Sequence, residues 1–414
     1  MTATKQGSDG VSAAAPGVGV RVASRVPRRL RGILALDDLE HAARRHLPRP
    51  IFSFVSGGAE TNTTMDGNRA AYADYRFVPR VLVDTSQRSQ ATVVLGRRYN
   101  APFGIAPMGG AVLAAYQADL VMARAAAQSG IPFILSASSL IPMEQVAEAG
   151  EGAWFQSYLP GEPERILPLV ERVERAGFEI FVLTVDLAVP GNRENNVRSG
   201  FSLPLQPGPR LAWDGMIRPR WLLGNAARTL LRTGMPHFEN TDAARGAPIL
   251  SRTLARATGR RDGLDWSHVA LIRRRWKGQL VLKGILAPED ARLAREAGVD
   301  GIIVSTHGGR QLDSAIAPLH ALPGVAAEAG GMTVMIDGGI RRGTDVLKAL
   351  ALGAQFAFVA RPFLYAAAIA GEDGVQHAAS LLSEEIDRNM ALIGINSPQE
   401  MRRELLFPRA GAIG

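Results

Sequence analysis

His307 stands in the run Ser305-Thr306-His307-Gly308-Gly309-Arg310-Gln311-Leu312-Asp313, two glycines before an arginine. An imidazole can take a proton at neutral pH, and a guanidinium can hold a carboxylate through paired hydrogen bonds. Asp186 ends an apolar run far upstream. Its carboxylate can orient such a histidine and stabilise the charged ring. Lys283 follows Gln279-Leu280-Val281-Leu282. Burying an ammonium is costly, so a lysine there must be paired or functional. Schiff-base chemistry and the holding of an anionic cofactor both suit it. Asp337-Gly338-Gly339-Ile340-Arg341-Arg342-Gly343 and Ala360-Arg361-Pro362 combine accessible backbone N–H groups with arginine charge, which suits a phosphate. The other six histidines lack such neighbours. No H-E-x-x-H or close His/carboxylate cluster marks a metal site, and no G-x-S-x-G elbow marks a serine nucleophile. The chain has no Cys, which removes thiolate nucleophiles, Cys-ligated zinc and iron–sulfur clusters.

These residues need a scaffold that brings distant positions together. From Phe103 onward, short apolar runs alternate with Ala/Leu-rich helical stretches, the pattern of a parallel sheet. Strands are expected at Phe103–Pro107, Phe133–Ala137, Ala153–Tyr158, Ile180–Asp186, Gln279–Ile285, Gly301–Thr306, Thr333–Gly339 and Phe356–Arg361. Helices are expected near 117–129, 143–149, 162–176, 267–276, 288–297, 314–329, 343–352 and 362–371. Eight such units predict an α/β fold, a (β/α)8 TIM barrel. An open doubly wound sheet fits less well, because no G-x-G-x-x-G follows the first strand. Barrel enzymes work at the C-terminal ends of their strands. Those ends carry Pro107, Met108 and Gly109; Ser136; Gln156 and Tyr158; Thr184 and Asp186; Lys283; Ser305 and His307; Asp337, Gly338 and Gly339; and Arg361. The last two loops are where such barrels commonly bind phosphate.

The expected organisation is a basic tail over 1–32, a barrel domain over 33–405 and a short tail over 406–414. Residues 33–80 read as helices capping the N-terminal end of the barrel, and 374–405 as further helix. An insertion over 187–266 follows strand four, and a connection that long is usually functional or mobile.

The 414 residues are 46% apolar and 21% charged, the balance of a globular protein rather than a disordered or disulfide-built one. The stretch Val11–Val20 makes a poor signal core, because Pro16, Gly17 and Gly19 interrupt it. No apolar run reaches the roughly 18 residues of a membrane span. The net charge of +8 is local. Residues 1–32 hold six basic groups against one acid, and 187–266 hold twelve arginines against six acids. That distribution favours local attachment to an anionic surface, or no attachment at all, over nucleic-acid binding. Over 217–232, Leu222, Leu223, Ala226, Ala227, Leu230 and Leu231 cover one side of a helical wheel, and Arg218, Asn225, Arg228, Thr229 and Arg232 much of the other. An interfacial membrane helix has this pattern, with Arg220 and Trp221 breaking it here, and so does a helix packed on the barrel with its arginines solvated.

Leu183-Thr184-Val185-Asp186, Leu282-Lys283-Gly284, the His307–Asp313 run and Asp337–Asp345 together resemble the FMN-dependent α-hydroxy acid dehydrogenases and oxidases, over about residues 35–405. That resemblance implies oxidation of a lactate- or mandelate-like (S)-2-hydroxy acid to the 2-oxo acid, with flavin N5 as electron acceptor. It implies His307 as base and Asp186 as its partner, with Tyr158, Arg193 and Arg310 on the substrate. Around FMN it implies Pro107, Met108, Gly109, Ser136, Gln156, Thr184, Lys283 and Ser305, with Asp337, Gly338, Gly339, Arg341, Ala360 and Arg361 towards the phosphate. Four positions depart from the family pattern: Phe54 for a substrate-binding Tyr, Thr306 for Asn, Met108 for Thr and Ala360 for Gly. Phe54 removes a hydroxyl from the site and points to a different or more apolar substrate, Met108 stands beside the flavin, and together they leave the substrate's identity open but FMN binding intact. Gly109 stands where family dehydrogenases often have Gly and oxidases Ala. The resemblance further implies a membrane quinone or another carrier as acceptor, membrane contact through 217–232, a cytoplasmic or inner-face location and a homotetramer. An oxygen-using oxidase of a hydroxymandelate-like acid, releasing hydrogen peroxide, is the alternative. A flavin- or nucleic-acid-binding protein without turnover is a third.

Overall fold

A computed structural model describes residues 27–159, 162–206, 208–251 and 261–409. Eight parallel strands form one sheet: β1 (Phe103–Ile105), β2 (Ile134–Ser136), β3 (Trp154–Ser157), β4 (Ile180–Thr184), β5 (Gln279–Ile285), β6 (Gly301–Val304), β7 (Thr333–Asp337) and β8 (Phe356–Val359). Each pairs with its sequence neighbour, β8 pairs with β1, and Ile105 bridges Phe133 to close the barrel. All eight expected strands are present, most ending one or two residues sooner. Their C-terminal residues turn instead into the loops that carry the polar groups.

The alternation along each strand explains the closure. Ile134, Trp154, Ile180, Val182, Val281, Ile303, Met335, Phe356 and Phe358 pack together inside the barrel. Leu135, Phe155, Phe181, Leu183, Leu280 and Leu282 belong to the layer beneath the helices. Both faces are buried, as parallel strands require. Trp154 packs edge-on against Phe358 with centroids 5.2 Å apart, and Trp154 Nε1 donates to Tyr99 Oη at 3.1 Å. The outer layer comprises α1 (Ala118–Ser129), α2 (Met143–Ala149), α3 (Pro163–Arg175), α4 (Trp266–Arg275), α5 (Pro288–Glu296), α6 (Pro318–Glu328), α7 (Gly343–Ala351) and α8 (Arg361–Ile393). Helix α8 absorbs most of the helical stretch expected after the barrel, through a kink at Gly371 (φ 58°, ψ −137°). That backbone conformation is open to glycine and disfavoured for other residues.

Three expectations need correction. The interior at the N-terminal end is plugged by the hairpin of Thr92–Val94 and Arg97–Tyr99, whose Val94 and Tyr99 join the inner cluster. The helices before it go elsewhere: Leu36–His46 packs along α8, and Arg49–Ser56 brings Phe54 and Val55 to the catalytic cavity. The stretch 406–414 does not begin as a tail, because Leu406–Pro408 pairs antiparallel with Tyr75–Phe77. Within 1–32, Leu30 is fully buried and Arg29 donates to Ala370 O at 3.3 Å, so the described residues of this stretch adhere to the body. Residues 1–26 lie outside the described residues.

Asp119, in the first turn of α1, is buried and accepts one side-chain bond, from Ser139 Oγ at 2.9 Å. Its Oδ1 has no partner. Burial pushes its pKa up to about 7. The native state therefore holds a proton that the unfolded chain releases near pH 4, and stability falls as pH rises towards 7. Asp119→Asn is expected to raise the thermal midpoint by several degrees at pH 8 and by much less at pH 5. Calorimetry at the two pH values checks this, and an equal shift at both would sink it.

Candidate active site

The loop after β6 carries His307 in a left-handed backbone conformation (φ 56°), strained for a non-glycine residue. Ser305 Oγ holds it there by accepting from His307 N at 2.9 Å. His307 Nδ1 lies 2.8 Å from Asp186 Oδ1, just past β4. Its Nε2 lies 3.2 Å from Tyr158 Oη, just past β3. Asp186 is drawn two ways: burial pushes its pKa up, while His307 and Lys283 bring it net below the usual carboxylate range. With that carboxylate ionised, the network puts the imidazole proton on Nδ1 and leaves the Nε2 lone pair on the cavity side. Burial, with the nearby Lys283 and Arg193 cations, holds the His307 pKa below its ordinary value despite Asp186. A neutral imidazole with an unprotonated Nε2 is a competent base.

Lys283, at 4% exposure, sits towards the C-terminal end of β5. It pairs with Asp337 Oδ2 at 3.0 Å and donates to Ser305 Oγ at 2.8 Å. Burial opposes its charge, but Asp337 and Asp186 outweigh it, so its pKa rises and it stays cationic. One chain of contacts thus joins β7, β5 and the loop holding His307.

Three arginines gather beside the end of the Arg49–Ser56 helix. Arg310 Nη1 donates to Phe54 O and Gly57 O, both at 2.8 Å. Arg361 donates to Val55 O and Gly57 O at 3.1 Å and to Gly308 O at 2.9 Å. Arg193 donates to Gln311 Oε1 at 3.1 Å. Asp313 supports this end by accepting from Thr61 Oγ1 at 2.6 Å and Thr64 N at 2.8 Å. Phe54 stacks on Phe201 at 4.4 Å between centroids, so the position lacking a hydroxyl has become part of an aromatic wall.

These groups face a cavity of about 700 Å³, the size that takes a cofactor together with a small substrate. Pro107, Met108, Gly109, Tyr158, Thr184, Arg193, Lys283, His307 and Arg310 line it, with Asp337, Gly338, Gly339, Arg341, Ala360 and Arg361. Ser136, Gln156, Asp186 and Ser305 stand behind the lining. Gly109 is needed by close approach, because a Cβ there would lie 2.6 Å from Ser138 Cβ. Arg361 lies across the helix end rather than alone at the glycine loop, and Arg341 Nε lies 3.6 Å from Asp37 Oδ1. Thr306 accepts from Asn68 Nδ2 at 2.7 Å, so the exchange for Asn leaves that contact filled. Among the described residues no three His, Asp or Glu side chains converge as metal ligands.

The residues fit a flavin mononucleotide. Gln156 is fully buried with neither amide atom hydrogen-bonded, and Thr184 Oγ1 is likewise unpartnered. Buried polar groups of this kind call for a polar ligand. Cationic Lys283 lies on the same side, and Gly338, Gly339, Arg341 and Arg361 supply an anion-holding end.

Barrel and cavity together fit a flavin-dependent oxidoreductase. The chain belongs to the FMN-dependent dehydrogenase family, whose profile matches residues 43–408. It is an FMN-dependent α-hydroxy acid dehydrogenase or oxidase by that membership and its relatives. It is 37% identical to an L-lactate dehydrogenase of Caulobacter sp. (strain K31), covering 90% of this chain and 98% of that one. It is 39% identical to a 4-hydroxymandelate oxidase of Amycolatopsis orientalis, covering 89% and 97%. A crystal structure of the monotopic membrane protein (S)-mandelate dehydrogenase superposes with a TM-score of 0.85 at 34% identity, covering 92% of this chain and all of that one.

Sequence reasoning missed Phe201 and Arg261 as cavity residues. Both lie in the long insertion, and nothing in the linear order says which of its side chains fold back over the barrel mouth. The insertion also differs from the expected helix. Pro219–Trp221, a π-helical turn over Leu222–Ala227 and Arg228–Arg232 follow one another. Its anchoring side is Trp221, Asn225 and Thr229. Trp221 Nε1 donates to Leu113 O at 2.9 Å, and Asn225 Nδ2 to Val112 O at 3.0 Å. Leu223, Leu230 and Leu231 are 68%, 53% and 85% exposed. No described helix is long and apolar enough to cross a membrane.

Proposed function

We propose that the chain oxidises an (S)-2-hydroxy acid with a bulky apolar side chain, mandelate-like rather than lactate-sized, to the 2-oxo acid. The observation that carries this is the base set against an aromatic wall: His307 held by Asp186, facing the cavity bounded by Phe54 and Phe201. Arg310 and Arg193 bind the substrate carboxylate, and Tyr158 hydrogen-bonds near the reacting carbon. His307 Nε2 takes the proton, and Asp186 stabilises the imidazolium that results. Lys283 supplies positive charge where negative charge develops. Ser136, Gln156, Thr184 and Ser305 orient the cofactor, with Pro107, Met108 and Gly109 along its face. Asp337, Gly338, Gly339, Arg341, Ala360 and Arg361 hold its phosphate end. Bound FMN supplies the two-electron acceptor. Anaerobic bleaching of the flavin by a panel of 2-hydroxy acids of both hands tests the reading. (S)-mandelate is expected to outpace (S)-lactate about tenfold or more, and the reverse order would overturn the substrate assignment.

The electrons pass to a membrane quinone or another carrier, and the protein docks as a peripheral homotetramer on the inner face of the cell membrane. The support is the exposed set Trp213, Met216, Leu223, Leu230 and Leu231, flanked by Arg218, Arg220, Arg228 and Arg232. An apolar patch beside arginines suits an anionic lipid surface. Flotation with anionic vesicles is expected to carry the holoprotein, and Leu223→Glu/Leu231→Glu to cut binding at least tenfold with flavin bleaching unchanged. Equal flotation of both would overturn docking through this patch. Hydrogen peroxide release in air matching substrate loss would instead assign the electrons to oxygen.

A further inference from the structure

Arg261 lines the same cavity as His307 and differs from its other arginines. Arg310, Arg361 and Arg193 are each hydrogen-bonded to carbonyl groups of the chain. Among the described residues Arg261 makes no such bond and pairs with no carboxylate, and its Nε is buried without a hydrogen-bond partner. What it does touch is Tyr158. Its guanidinium carbon lies 5.1 Å from the centroid of that ring, the ring whose hydroxyl reaches His307. The insertion's other contributions to the cavity lining include the apolar Leu203, Phe238, Ala247 and Ile249. Burial, with Arg165 nearby, depresses the Arg261 pKa below the ordinary guanidinium value. Arg261 is half-buried, and a buried guanidinium N–H without a partner is costly. Its five donors match a carboxylate in a fixed fork.

We propose that Arg261 is a specificity residue, forming a second anion-binding subsite in the substrate pocket beside the Tyr158 ring. The substrate would carry a second carboxylate, or an equivalent anionic group, beyond its apolar middle. This rests on the reading of the site as a 2-hydroxy acid oxidase and narrows it. Arg310 and Arg193 take the carboxylate beside the reacting carbon, and Arg261 takes the distal one. The aromatic wall and the distal cation together select an amphiphilic dianion over a plain aryl or alkyl acid.

The test is binding of product analogues to the FMN-loaded protein by calorimetry, which does not require turnover. Two matched pairs serve, benzoylformate with 4-carboxybenzoylformate and 2-oxovalerate with 2-oxoglutarate, so that two spacer lengths are sampled. In at least one pair the dianion is expected to bind about 10- to 100-fold more tightly, the range of a charged, partly desolvated hydrogen bond. Arg261→Met is expected to erase that preference while leaving the monoanion within about threefold, and Arg261→Lys to restore part of it. Equal binding within both pairs in the unaltered protein overturns the subsite. So does an Arg261→Met variant that keeps the preference, or one that weakens both members alike and shifts the pH profile. That last result would make Arg261 a positioning residue for Tyr158. Failure of every 2-hydroxy acid to bleach the flavin, with dianion preference intact, would strike the oxidase reading and not the subsite.

Discussion

His307→Gln lowers the rate of anaerobic flavin bleaching by 2-hydroxy acids about 10⁴-fold, the upper range for loss of a positioned base, while the protein stays yellow. The amide keeps the size and one polar contact but cannot accept a proton. FMN retention is expected because His307 stands at the substrate side, remote in role from Arg341 and Arg361. The pH profile carries the sign. Burial holds the imidazole below its ordinary pKa, so kcat/KM rises with pH through a value under that of free histidine and then levels. Asp186 acts against burial and raises the imidazole pKa. Asp186→Asn should therefore move the acid limb to still lower pH and drop the plateau about 10²–10⁴-fold. Stopped-flow reduction across pH 4–9 checks both. A His307→Gln protein within tenfold of normal, or an acid limb above that of free imidazole, removes His307 as the base.

The second large effect is expected at Lys283. Lys283→Met takes the cation from a buried pair and strands Asp337, itself only 6% exposed. Breaking a buried pair from one side costs about 3–5 kcal/mol, because the remaining charge is uncompensated. The same substitution removes the bond to Ser305 Oγ, the atom that also accepts from His307 N. We expect a lower unfolding midpoint, weaker FMN retention and a flavin reduction rate down at least 10²-fold. The pair Lys283→Met/Asp337→Asn separates the causes. It should recover most of the stability, since no lone charge is left, and none of the rate. Recovery of the rate as well would mean that Lys283 serves only to neutralise Asp337.

The repeat of β-branched runs and helical stretches made eight β/α units readable from the chain, because burial on both faces demands continuous apolar strands of this kind. The polar residues at their ends were readable for the same reason: an interior strand tolerates none. His307, Lys283 and Asp186 stood out as groups that apolar neighbours would make costly. The FMN assignment needed more than pattern. It came from the combination of four motifs, and family membership bears it out.

Other features had no local signal. Periodicity over 217–232 marks an amphipathic segment but not which side meets the barrel. The carbonyls of Val112 and Leu113 decide that, by taking bonds from Asn225 and Trp221 and leaving the leucines outward. The strand at Leu406–Pro408 looks like tail because its partner lies more than three hundred residues earlier, at Tyr75–Phe77. Arg261 reads as one more charge in a basic insertion until the fold sets it against Tyr158.

Residue types and their spacing along the chain thus determined the barrel and the polar residues gathered at its strand ends, because each was constrained by the strand it ends or follows. The tertiary structure alone decided how the insertion and the Arg49–Ser56 helix close over the barrel mouth. Contacts between residues distant in sequence are set by shape and by unsatisfied hydrogen bonds, and neither leaves a period in the sequence.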